Sequence, residues 1–143
     1  MIVAGPVDVE EQAILDGVLQ DPAYAGYATL FIGLSTTTPN DDGTGFTEPV
    51  GNAYARVSTT GADWGPASGT APAVKSNTAA KSFATATGSW GTVTHFGLFT
   101  AASGGLLKWW GVLGTAKAIG NNDTPSFAVA ALQLKLGDPT DTY

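Results

Sequence analysis

The chain has no cysteine, so neither a disulfide framework nor a thiolate metal site can organise it. Charge is scarce too: 13% of its 143 residues are Asp, Glu, Lys or Arg, about half the usual share. The six basic residues, Arg56, Lys75, Lys81, Lys108, Lys117 and Lys135, stand singly against twelve acids, leaving a net charge of −6. Cations so few and so scattered do not neutralise a run of phosphates, and an acidic surface is repelled by anionic lipid. Neither nucleic acid nor a membrane is expected as a partner. No apolar run approaches the roughly 18–20 residues of a membrane helix. Met1 to Pro6 lacks the basic segment of a signal peptide, which points to a soluble protein made in the cytoplasm.

What is present is small and apolar. Hydrophobic residues make up 43% of the chain, with 19 glycines and 8 prolines. Ser, Thr, Asn and Gly must therefore cover much of the exterior, which suits short strands joined by tight turns. A surface short of long charged side chains also loses little entropy when docked, so the composition favours a protein that packs against neighbours. The length fits one domain over 1–143, able to bury roughly two-thirds of the surface its unfolded chain exposes. No internal repeat or domain boundary is visible.

One helix is signalled near the start, over 8–21, behind an N-terminal arm at 1–7. Asp8 can cap it and Glu11, three residues on, completes an Asp-x-x-Glu capping box. Glu10 and Glu11 place negative charge at the positive end of the helix dipole. Ile14/Val18 and Leu15/Leu19 form apolar i, i+4 pairs, and Asp21-Pro22 ends the run. So short a helix must dock its apolar face, either on its own sheet or on a partner subunit.

The remainder, 27–136, reads as β. Ala28–Leu34, Tyr54–Thr59, Lys81–Ala84, Thr92–Phe99, Leu106–Leu113 and Phe127–Leu136 are the expected strands. Asn40–Gly45 and Gly61–Pro72 are loops, the second surrounding Trp64. Ser103-Gly104-Gly105 is a hairpin turn, and Gly120–Asp123 precedes the last strand. In that strand Ala128, Ala130, Leu132, Leu134 and Leu136 share one face, the pattern of a half-buried antiparallel strand. The fold class predicted is mainly β: an antiparallel β-sandwich or jelly-roll-like barrel with one short N-terminal α-helix. Residues 137–143 form a polar tail.

Few residues suggest chemistry. His95, the lone histidine, lies inside an apolar strand without the serine and carboxylate of a nucleophilic triad beside it, and is expected to be half-buried and structural. Asp41, Asp42 and Glu48 flank a glycine-rich loop, but their spacing is not that of a calcium loop; solvated turn carboxylates are expected. No catalytic residue, cofactor or metal is assigned. The candidate partner contacts are tryptophans: Trp64 in its Gly/Pro loop, and Trp109 and Trp110, whose adjacency in a strand sends one indole to each face.

The stretches Ala28 to Pro39, Gly43 to Pro49, Tyr54 to Val57, Ala84 to Phe99 and Gly120 to Phe127 resemble a family of small tailed-phage proteins often labelled "tail fibre protein". The resemblance covers roughly residues 8–136, with Trp90-Gly91-Thr92-Val93-Thr94-His95 its most distinctive core. In size and β character the chain is also similar to cement proteins that decorate phage capsids, commonly as trimers. These resemblances imply a virion structural protein without catalysis that assembles as a homo-oligomer, a trimer by the second likeness. The leading expectation is a capsid decoration protein on the head exterior, bound to the major capsid protein. The alternative is a tail fibre or baseplate protein, bound to tail proteins and involved in host attachment.

Overall fold

The apolar strand runs become the middle of one large sheet. The computed structural model describes residues 2–18, 24–69 and 73–136. In chain order these form β1 (Ile2–Pro6), α1 (Asp8–Val18), β2 (Thr29–Ser35), β3 (Val57–Thr60), a single 3-10 turn at Gly61–Asp63, and β4 (Ala73–Ser76). Then follow β5 (Lys81–Ser82), β6 (Gly91–Phe99), β7 (Leu107–Ile119), β8 (Ser126–Phe127) and β9 (Leu132–Leu136). Seven strands make a sheet in the order β3-β2-β6-β7-β1-β9-β4, and β5 with β8 makes a two-stranded ribbon. The molecule is mainly β with one short N-terminal helix, as its composition and turn signals predict.

Three features depart from the sequence reading. Residues 2–6 of the expected arm are a strand: β1 lies inside the sheet, antiparallel to β7 (Gly5 opposite Trp110) and parallel to β9 (Val3 opposite Gln133). That parallel pair makes the sheet mixed rather than wholly antiparallel. The last expected strand is broken in two by a turn, where Ala131 N–H donates to Ala128 O at 3.1 Å and Ala130 adopts φ 60°. Buried Asn77 fastens this turn. Its Nδ2 donates to Ala128 O, its Oδ1 accepts from Leu132 N–H, and its carbonyl accepts from Ala130 N–H, each at 2.8 Å. Finally, Tyr54 to Arg56 precede β3 rather than forming part of it.

The sheet curls until its two margins meet. Beyond β3, Trp64 pairs with Asn77, which follows β4. Gly65 N–H donates to Ser76 O at 2.9 Å and Thr78 N–H to Asp63 O at 2.8 Å. The inner face encloses Ile32, Leu34, Phe96, Leu98, Trp109 and Leu132, closed over by Phe83, Trp90 and Phe127 from the ribbon and its flanks. Trp90 stands edge-on to Tyr54 at 5.2 Å and donates its indole N–H to Asn52 O at 2.8 Å. Such edge-to-face pairs add to the stabilisation from burial itself.

The outer face is thinner. Val7, Phe99 and Leu107 are buried there, with Phe31, Phe46 and Trp110 partly covering them. Gly33 and Gly97 lie opposite each other in β2 and β6, and Phe46 packs over the second. A Cβ on Gly97 would come within 2.6 Å of that ring, so only glycine admits it. Beside Gly33, Glu48 takes a bidentate grip from Arg56 (Nε 2.8 Å, Nη2 2.6 Å) and a Tyr54 hydroxyl bond at 2.7 Å. Arg56 also lies 3.5 Å over the Phe99 ring and donates to Ala101 O and Gly104 O, pinning the β6–β7 hairpin at the expected turn, where Gly104 and Gly105 take positive φ.

The helix is fastened in an unexpected way. Val7 O accepts from Glu10 and Glu11 N–H, so Asp8 is the first residue within the helix rather than its cap. The buried residue of α1 is Glu10, wholly enclosed. Its carboxylate accepts from the Tyr27 hydroxyl at 2.7 Å and from the Tyr24 hydroxyl, and it pairs with Lys108 at 3.2 Å. Ile14 packs against the core, but Leu15 and Val18 are 69% and 71% exposed. The expected apolar docking face is therefore largely turned to solvent. Leu19 and the Asp21-Pro22 stop lie outside the described residues, as does the polar tail at 137–143.

Candidate interaction surface

Of the three tryptophans proposed as contacts, only Trp110 lines an open surface. Trp109 is 8% exposed and belongs to the inner core, which corrects its assignment as a contact: a ring needed inside cannot also meet a partner. Trp64 is half-buried, packs against the same core and donates its indole N–H to Thr59 Oγ1 at 2.7 Å. Its Gly/Pro-rich surroundings disguise a strand-like clasp. Trp110 points to the outer face, as adjacency to Trp109 requires, with its ring 5.7 Å from that of His95.

Trp110 lies in a groove of about 770 Å³ between α1 and the outer face of β1, β7 and β9. One wall carries Glu11, Ile14 and Leu15 of the helix, with Asp41 at its end; the other carries Val112, Lys135 and Leu136. Val112 is 57% exposed and Leu136 47%. A β-bulge helps shape the region. Leu98 faces Trp109 while Phe99 faces Leu107, so Lys108 is an extra residue and reaches beneath the helix to Glu10. The groove was not legible in sequence because its walls come from segments far apart in the chain. The signal that pointed towards it was the i, i+4 apolar pattern of the helix.

A second groove, of about 660 Å³, opens on the opposite face between β7 and residues 124–131. Beside it β7 bulges more widely: Val93 faces Lys117 and His95 faces Val112, so Thr94 alone opposes Leu113 to Ala116. Lys117 and Thr115 line this groove with half-buried Leu113.

The polar candidates are accounted for locally. His95 is buried, its Nδ1 shares a 2.8 Å hydrogen bond with Thr94 Oγ1, and burial holds its pKa below the ordinary value. Ser35, opposite it in β2, gives its hydroxyl to Thr37 O at 2.8 Å and accepts from Thr47 N–H at 3.0 Å. Asp42 is a turn residue: Thr44 donates its N–H and hydroxyl to it, holding its carboxyl below the usual range. Asp41 is held above that range, first by burial and then by Asp8 and Asp42. Glu48 departs from the solvated carboxylate expected, since Arg56 and Tyr54 enclose it. Among the described residues no three His, Asp or Glu side chains converge as metal ligands, and no helix is long and apolar enough to cross a membrane.

The model of one protein family, described as Podophage GP4 fiber I protein gp80, matches residues 6–135. The chain belongs to that family. The match begins at the end of β1, covers α1 and both walls of the outer groove up to Lys135, and takes in the distinctive Trp90 to His95 stretch. Membership makes the chain a phage fibre-type protein and hence a virion component. No curated protein matches the chain.

Proposed function

We propose that this protein is a component of a phage tail fibre, working by docking onto other protein surfaces and not by making or breaking bonds. The observation that carries the reading is the fibre-family match across residues 6–135. Two structural facts support it. The single imidazole is buried against Thr94 and Trp110, with no carboxylate bonded to it among the described residues. The outer groove, by contrast, presents apolar side chains to solvent, a mark of protein contact surfaces. Association with further copies and with neighbouring tail proteins is part of this reading, many modest contacts being strengthened by repetition.

Immunogold labelling of intact particles tests the location. Gold on the tail is the expected result. Gold confined to the head would overturn the tail assignment in favour of capsid decoration. Turnover of a surface glycan by the purified chain would overturn the non-catalytic part.

A further inference from the structure

We propose that the groove between α1 and the outer sheet face seats a second copy of this chain, the two copies related by a two-fold axis. The inference deepens the fibre reading and rests on it only for where such pairs serve. Its apolar part is Leu15 and Val112, both more than half exposed, set around Ile14 and Trp110, with Leu136 at the end of β9 on the groove's margin. An amphipathic helix ordinarily spends such residues on its own domain. Here α1 is held instead by Glu10, bonded to Tyr24, Tyr27 and Lys108, so the attachment of the helix leaves Leu15 free.

The charges choose the occupant. Arg56, Lys81 and Lys108 are ion-paired within the chain, and Lys75 donates to Gly65 O at 2.7 Å. Lys117 at the second groove and Lys135 on the sheet wall have no such partner among the described residues, and of the two only Lys135 lines this groove. On the helix wall stand Glu11 and Asp41, with Asp8 and Asp42 close enough to crowd Asp41 with like charge. A uniformly basic partner would satisfy one wall and repel the other, and a uniformly acidic partner the reverse. A two-fold axis brings Lys135 of each copy to the acids of the other and closes apolar surface on apolar surface, which is the self-complementarity an isologous contact demands.

Reciprocal charge reversal tests this. Molar mass is measured by light scattering and sedimentation over a wide concentration range, with thermal melts verifying that every variant is folded. The native chain is expected at twice its monomer mass at high micromolar concentration. Lys135→Glu and Asp41→Lys are each expected to weaken pairing by roughly tenfold or more, because each substitution is felt at both symmetric contacts. An equimolar mixture of the two variants is expected to pair again, since each contact in the mixed pair joins an anion to a cation. A native chain monomeric at every concentration, a trimer mass, or a mixture that stays monomeric would each overturn the proposal. So would capture of a different virion protein in the groove of a monomer. A monomeric protein whose antibody still labels tails would remove the pairing and leave the fibre reading standing.

Discussion

The two faces of the curled sheet solve the same problem in opposite ways. Inside, Phe96, Leu98, Trp109 and Leu132 are sealed beneath Phe83, Trp90 and Phe127, and close packing does the work. Outside, the covering helix is anchored by an enclosed carboxylate with its lysine and two tyrosines, while several aliphatic side chains stay wet. Apolar packing tolerates exchange among side chains of similar volume. A buried ion pair demands its own partners and little else. The inner face therefore fixes the fold, and the outer face holds one element in place while keeping its apolar surface available.

That contrast can be broken. Trp109→Ala should be the most damaging change, costing about 3–5 kcal/mol in chemical denaturation, because it empties a closed site. Glu10→Ala should follow at about 3 kcal/mol, since it strands Lys108 without its counter-charge; joining it with Lys108→Met should recover a large part of that loss. If Glu10→Ala were silent, Ile14 and the Asp8 N–H bond to Asp41 O would suffice to hold the helix, and the contrast would fail. Trp110→Ala, at a partly buried site, should cost about 1–2 kcal/mol, appreciably less than its neighbour.

Two weaker effects sharpen the picture. Lys81, 2.7 Å from Asp63, and the Thr60 N–H hold the Asp63 carboxyl down at about 2. A depressed folded-state pKa gives stability that is complete above the unfolded value near 4 and lost as pH falls towards 2. Partial exposure screens this pair, so acid titration of melting should show less than about 1 kcal/mol from it, absent in Asp63→Asn. Smallest of all, Leu15→Ser should leave monomer stability within about 0.5 kcal/mol, since the side chain is already in water. A large loss would show that Leu15 is packed within its own chain.

Where local pattern carried the information, the sequence was readable. The Thr92–Phe99 and Leu106–Leu113 runs around Ser103-Gly104-Gly105 are the β6–β7 hairpin, and Trp109 and Trp110 do face opposite ways. The strand at Ile2–Pro6 was not readable, because a five-residue segment containing Gly and Pro becomes a strand only when β7 and β9 offer pairing on both sides. The break at Ala128–Ala131 was hidden as well: its alternation suits a strand, and the buried Asn77 that bends it lies about fifty residues upstream. Glu10 misled for the same reason. A glutamate in the first turn of a helix reads as exposed dipole compensation unless Lys108, Tyr24 and Tyr27 are known to surround it.

The meeting of Trp64 with Asn77 has a consequence for life at high local copy number. Unpaired strand margins recruit one another, and proteins gathered in an assembling particle are concentrated enough for runaway strand addition. By bringing the segments after β3 and β4 together, this chain hides part of both borders of its sheet from siblings. Any contact between copies would then fall to side chains, whose shape and sign can be selective, instead of to backbone ladders that accept any strand.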